Sequence, residues 1–489
     1  MLHSHRGRPL ACLLGLGLLS ACSNDIDPFA NPLATGGASS GAGGSTGTGG
    51  DTAVGVGGVG SASGGAASGG NEASGGAPGG ASSGGSSVGG FGDSGGSGAG
   101  GSPTGGSGSG GSPTGAAYPF PQNAPSQYCV LPSAYDNADV QAAYDLWKET
   151  VVTSEGASGF LRVRKPDSGT QIDSTVSEGI GYGMLLAVYM DDQEVFDGIW
   201  KYEQLYENDN GLMDWEVNAA GDVIGTGAAL DGDEDMAWAL IMADRQWGGQ
   251  GTLDDTYLNY AIGLIHAMWD HEIDHTRNDM PLPGDTWGNV DVNNISYFAP
   301  AYYRVFGQVA DMEDEWNRVV ETCYDIIEAS LNSANQNEDN GLVPAWSNQA
   351  GTPVEAYGGA PLHYQNDSTR TPFRVGQDYC YFGEPRALAY IQKTTNFFTG
   401  VGVDNIVDGY ELDGTPRPDF GTNGLGSASF VGPAAVGASY SVDNQAFIDE
   451  AYAALITQEL TAGTIYYQKS WAALSLLMMT GGFYEFPAP

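Results

Sequence analysis

Glu178 lies in Ser177-Glu178-Gly179-Ile180-Gly181-Tyr182-Gly183-Met184, a single carboxyl among three alternating glycines at the mouth of an apolar run. Leu185, Leu186, Val188, Tyr189 and Met190 continue with helical spacing, which puts Glu178 at or near the N-terminus of a largely buried helix. Two influences oppose each other there. Burial raises a carboxyl's pKa and keeps it protonated, whereas the helix dipole and free N–H groups favour the anion. A structural reading fits the same letters: Thr175-Val176-Ser177-Glu178 has the form of a capping box, with Glu178 reaching back to the Thr175 N–H.

Two further segments carry acids in chemically suggestive company. Asp231-Gly232-Asp233-Glu234-Asp235 opens a helical pattern in which Met236, Leu240, Ala243 and Trp247 form one buried stripe. The acids there would complement the helix dipole. An EF-hand fails, because Met236 and Met242 stand where such a loop needs Gly and Glu. In Asn366-Asp367-Ser368-Thr369-Arg370-Thr371-Pro372-Phe373-Arg374, Pro372 suits a first helical turn with Thr371 as its cap, leaving Asp367 in the preceding loop. An approach by Arg370 or Arg374 would hold Asp367 as the anion, the state a general base needs. The structural alternative is a turn-forming Asp in a surface ion pair. Trp215 and Trp287 sit between helical patterns, where a core role is less automatic, and Tyr297 to Tyr303 and Tyr466-Tyr467 add aromatic surface.

These residues need a scaffold, and the chain divides into three parts to supply one. With 489 residues, 76 glycines and a formal charge of −42 it is too inhomogeneous for one globular body. Residues 1–22 carry His and Arg, then an apolar run of about ten residues, short of the roughly 17–25 of a spanning helix, so they read as an export signal. The ending Leu19-Ser20-Ala21-Cys22 resembles the bacterial lipobox, which implies cleavage before Cys22 and a lipid on its thiol; the alternative is an ordinary secretory signal cut near Ala21. Residues 23–117 are dominated by Gly, Ser, Thr and Ala and cannot offset their ordering entropy by burial, so they read as a disordered tether.

Residues 118–489 hold the folded domain. Helical patterns recur at Val140 to Val152, Gly179 to Met190, Val195 to Tyr206, Met236 to Trp247, Tyr257 to Ile273, Phe298 to Val309, Trp316 to Leu331, Pro372 to Ile391, Ala446 to Ile456 and Trp471 to Met479. With no sustained alternation of period two, the expected class is all-α with long aromatic-rich loops. Neither a nucleotide-binding glycine fingerprint nor a basic stripe is present, so nucleic acid is excluded as a partner. No Cys/His cluster has zinc spacing. Once Cys12 is removed and Cys22 acylated, Cys129, Cys323 and Cys380 can form at most one disulfide, of unspecified pairing.

The Glu178 octapeptide with Leu185-Leu186-Ala187-Val188, the segment from Ala229 through Trp247, and Asp367 with Arg370 before a helix together resemble glycoside hydrolase family 8, in matching order from Tyr118 to Pro489. The resemblance implies an (α/α)6 barrel with its cleft at one end and an endo-acting β-1,4-glucanase, cellulase-like, that inverts configuration. It makes Glu178 the general acid, Asp367 the base that activates water, and Asp231 the residue that grips the sugar and orients the acid. Substrate-binding roles are expected of Trp215, Trp287, Arg370 and Tyr467, since pyranose faces lie on aromatic rings. The segment departs from the family at Leu230, where a small hydroxyl residue is usual. No cofactor and no metal are implied. The expected partner is a β-1,4-linked polysaccharide, met by an exported monomer that touches a membrane only through its lipid anchor. Xylan or chitosan is the alternative substrate, and a noncatalytic glycan-binding lipoprotein the alternative from another class.

Overall fold

The computed structural model describes residues 115–124, 126–168, 171–356, 362–419 and 426–488; the export signal, Cys22 and nearly all of the tether lie outside the described residues. Within them the chain forms thirteen α-helices: α1 (Asn137–Val151), α2 (Ser177–Tyr189), α3 (Gln193–Glu203), α4 (Leu230–Trp247), α5 (Tyr257–His271), α6 (Pro300–Val309), α7 (Glu313–Ser330), α8 (Asn366–Thr369), α9 (Thr371–Phe382), α10 (Pro385–Val401), α11 (Ala428–Ala438), α12 (Gln445–Ile456) and α13 (Ile465–Met479). The described strands are two or three residues long and belong to the loops. The helix-rich class expected from the sequence is therefore what the described residues show.

Apart from the single turn of α8, the helices alternate between two layers. α2 packs on α4, α4 touches α6, α6 packs on α9, α9 on α11, α11 on α13, and α13 returns to α2, closing an inner ring. Outside it, α3 packs on α2, α5 on α4, α7 on α6, α10 on α9, α12 on α11 and α1 on α13. Six inner and six outer helices in this order are the arrangement expected of an (α/α)6 barrel. Composition decides the layer. Every residue of α2 and of α11 is buried, so neither has a polar face, whereas outer α1 buries only Val140, Ala143, Tyr144, Trp147 and Val151 along one stripe.

Close inner packing accounts for the alternating glycines of α2. A Cβ on Gly181 would stand 2.8 Å from Asp235 Cβ, and one on Gly232 would stand 2.7 Å from the Ser177 carbonyl carbon. Larger residues would push α2 and α4 apart at the level of Glu178 and Asp231.

Two helical patterns resolve differently from the expectation. The single stretch Pro372 to Ile391 is two helices, because α9 ends on Gly383 in the left-handed region (φ 68°) and Pro385 opens α10. The inner helix α11 was not expected at all; apolar on every side and interrupted by Pro433, it presents no stripe to read. The cysteines resolve as a Cys129–Cys380 disulfide, with Cys323 free and buried.

Candidate active site

The N-terminal ends of the inner helices converge. Glu178 is the second residue of α2 and Asp231 the second of α4, Asp367 lies in α8 and Arg370 at the start of α9, and Tyr466 is the second residue of α13. None of the six inner helices has a side-chain N-cap. Tertiary partners meet their first N–H groups instead: Ser177 N–H donates to the Trp215 carbonyl at 3.0 Å, and Leu230 N–H to the Pro283 carbonyl at 3.1 Å. Ser429 N–H of α11 donates to Gln468 Oε1 at 3.1 Å. The positive ends of the helix dipoles thus face a common floor, where they favour negative charge.

Arg370 organises that floor. Its Nη1 donates to Glu178 Oε2 at 2.7 Å and to Asp231 Oδ2 at 2.5 Å, while Nη2 stands 3.6 Å from Asp367 Oδ1. Ser296 Oγ accepts from Nε at 3.1 Å, and the guanidinium lies over the Tyr297 ring at 4.7 Å. The three expected acids are therefore brought together around one fully buried cation. Arg370 was expected as a substrate-binding residue; its side chain is buried, with Nη1 shared by Glu178 and Asp231 and Nε taken by Ser296, while Nη2 faces Asp367 without a hydrogen-bond partner.

Glu178 is not the capping box. The cap position of α2 is Val176, without a side-chain bond, and Glu178 accepts from Arg370 and, through Oε1, from Tyr466 Oη at 2.7 Å. Burial pushes its pKa up to about 7, against the pull of Arg370. Burial likewise raises Asp231, again opposed by Arg370. Asp367 is not in a loop, as expected, but in the single turn of α8, capped by Gln365, whose amide also donates to Asp367 Oδ2 at 3.2 Å. Thr371 is the first residue of α9 and not its cap. Of the two arginines, Arg370 approaches Asp367, while Arg374 turns to Asp235 and Glu234, each at 3.0 Å. Leu230, the departure from the family pattern, is fully buried in the core.

The aromatic residues border this floor unequally. Trp215 directly precedes the strand Glu216–Val217 and is 9 % exposed, packed so closely on Gly225 that a Cβ there would stand 2.3 Å from its ring. Trp287 is half-buried and stacks on Trp346, centroids 6.1 Å apart. Asp285 ties the two tryptophan segments together: Oδ2 accepts from Asn208 and Asn210 and Oδ1 from Ala228 N–H, each at 2.8 Å. Tyr467 is buried, and its hydroxyl donates to the Asn366 carbonyl at 3.1 Å, bracing the turn that carries Asp367. Sequence reasoning missed Ser296 as part of the site, and it took Tyr297 and Tyr466 only for wall. A run of aromatic letters offers no signal for which hydroxyl meets a carboxylate. Among the described residues, no group of three or more His, Cys, Asp and Glu is arranged to hold a metal ion. A carboxyl raised towards neutrality, a second carboxylate facing the same guanidinium, and neighbouring indoles can cleave an acetal by acid and base catalysis.

The family profile described as glycosyl hydrolases family 8 matches residues 120–481. Endoglucanase A of Acetivibrio thermocellus is 39 % identical over 350 residues, which span 71 % of this chain and 70 % of that protein. Endoglucanase 2 of Ruminiclostridium josui is 35 % identical over 75 % of this chain and 77 % of its own length. Among solved structures, the β-1,3-1,4-glucanase from Paenibacillus sp.X4 superposes with a TM-score of 0.67 at 27 % identity, covering 75 % of this chain and 99 % of that one.

Proposed function

This chain belongs to glycoside hydrolase family 8, and from that premise we propose that it hydrolyses internal β-1,4-glucosidic bonds in cellulose or a related β-glucan. The observation that carries the reading is the shared guanidinium of Arg370, which holds Glu178 and Asp231 on one nitrogen and faces Asp367 with the other. Glu178 protonates the leaving oxygen. Its burial supports this, since a carboxyl raised to a pKa of about 7 is mostly protonated below neutral pH and poised to give the proton up near it. Asp367 takes the proton from a water on the opposite face of the sugar, and the fully buried Asp231 orients the acid through the Arg370 nitrogen that they share. We take the reaction as inverting, with a water lodged between Asp367 and the sugar. Trp215 and Trp287 offer flat surfaces to pyranose rings on either side of the network around Asp285.

The enzyme works as an exported monomer on a lipid anchor at Cys22. The Cys129–Cys380 disulfide supports an oxidising compartment, and the short apolar run before Cys22 supports lipidation. Assay of residues 118–489 on soluble cellulose, xylan and chitosan tests the substrate. Glucan viscosity should collapse well before reducing ends accumulate. Faster cleavage of xylan or chitosan, or release of one small sugar at constant viscosity, would overturn the reading.

A further inference from the structure

The two oxygens of Glu178 have unlike partners. Oε2 faces Arg370 Nη1, a group that only donates, so a proton on Oε2 would break that 2.7 Å bond. Oε1 faces Tyr466 Oη at 2.7 Å, and a hydroxyl can turn and accept. Room for this contact is built into both helices: a Cβ on Gly179 would stand 3.2 Å from Tyr466 Cε2 and Oη, and Tyr466 stacks on Tyr182 with centroids 6.3 Å apart. Behind it, Ser470 donates to the Tyr466 carbonyl at 2.8 Å and accepts from the Trp147 indole at 3.1 Å, anchoring this turn of α13 to α1.

Resting on the reading of Glu178 as general acid, we propose that Tyr466 is a positioning residue that assigns the catalytic proton to Glu178 Oε1 and reverses its hydrogen bond when that proton leaves. In the resting acid, Oε1–H donates to Tyr466 Oη. As the glycosidic bond breaks, the Oε1–H bond breaks and an O–H bond forms on the leaving sugar oxygen. Tyr466 then donates its own proton towards Oε1 without giving it up, so the new carboxylate is met by two donors, Tyr466 and Arg370. Burial and the neighbouring Glu178 hold the Tyr466 phenol well above its ordinary pKa, so it stays a donor throughout. The other groups facing Glu178 are Asp231 from α4, Asp367 from α8, and Tyr182 and Tyr467 from α2 and α13. None of these meets Oε1 as Tyr466 does.

A donor that stabilises the anion lowers the acid's pKa, so its removal raises it. In Tyr466→Phe the alkaline limb of kcat/KM on soluble cellulose should move up by about one pH unit. kcat on glucan should fall about tenfold with KM little changed, while a dinitrophenyl β-cellobioside, whose leaving group needs no proton, should be cleaved nearly as fast as by the wild type. Replacement of Tyr466 by 3-fluorotyrosine, a stronger donor of the same shape, should move the limb down; this variant decides the matter if the Phe variant does not fold. A limb that stays at the wild-type position, or an equal loss on both substrates, overturns the proposal. Failure of the wild type to cut glucan would instead overturn the functional reading beneath it.

Discussion

Four of the six outer helices complete their N-termini with a local side chain, and none of the six inner helices does. Outer α1, α3, α5 and α10 begin on Asp136, Asp192, Thr256 and Glu384, each accepting a backbone N–H of its own first turn. The inner six have no such cap; their ends are completed by other parts of the chain or left facing the carboxyls. Local completion makes an outer helix independent of the site. Inner ends depend on distant residues, and the converging positive dipole ends are what allow Glu178, Asp231 and Asp367 to crowd one buried arginine.

This contrast can be broken first at the inner ends. Glu178→Gln and Asp367→Asn should each lower kcat on glucan by roughly 10²–10⁴ while oligosaccharide binding, measured by calorimetry, persists. Loss of binding along with rate would mean these groups hold substrate instead of moving protons. Arg370→Ala leaves the clustered carboxyls without their cation and should cost about 3–5 kcal/mol in urea unfolding, with loss of activity. An unchanged unfolding midpoint would show the acids satisfied without it. Further from the floor the effects shrink. Trp287→Ala should raise KM about tenfold and leave kcat nearly unchanged, the pattern of lost uniform binding. At an outer end, Thr256→Ala removes the bond to Asn259 N–H and should cost about 1 kcal/mol, read as a small drop in Tm, with wild-type kcat. A fall in kcat there would mean that the layers are not independent.

The same contrast sets what could be read from the sequence. α1, α3, α5 and α7 announce themselves by apolar stripes, and α1, α3 and α5 also by local caps, because the information for an outer helix lies within it. α2 and α4 were recognised from their acids and apolar runs, but α11 carries neither stripe nor cap and was missed. The three acids were legible as types at suggestive positions, and their meeting was not: Glu178 and Arg370 are 192 residues apart in the chain, Asp231 and Arg370 139. The loop reading of Asp367 failed because Gln365 caps α8 with its amide side chain, a weaker signal than the Pro372 used to place the helix start. The Cys129–Cys380 pairing was likewise beyond letters, since three cysteines leave three pairings open.

The central claim is that Glu178 and Asp367, which both face Arg370, act from opposite sides of one sugar. Proton NMR of the wild-type enzyme on a soluble β-1,4-glucan reads this directly, because the first reducing end released records which face was attacked. The account predicts the α-anomer in the first minutes, with the β-anomer growing in later by mutarotation. A β-anomer as first product would mean a retaining pair, with carboxyls about 5–5.5 Å apart in place of the roughly 6.5–9.5 Å of an inverting pair, and would contradict the role given to Asp367.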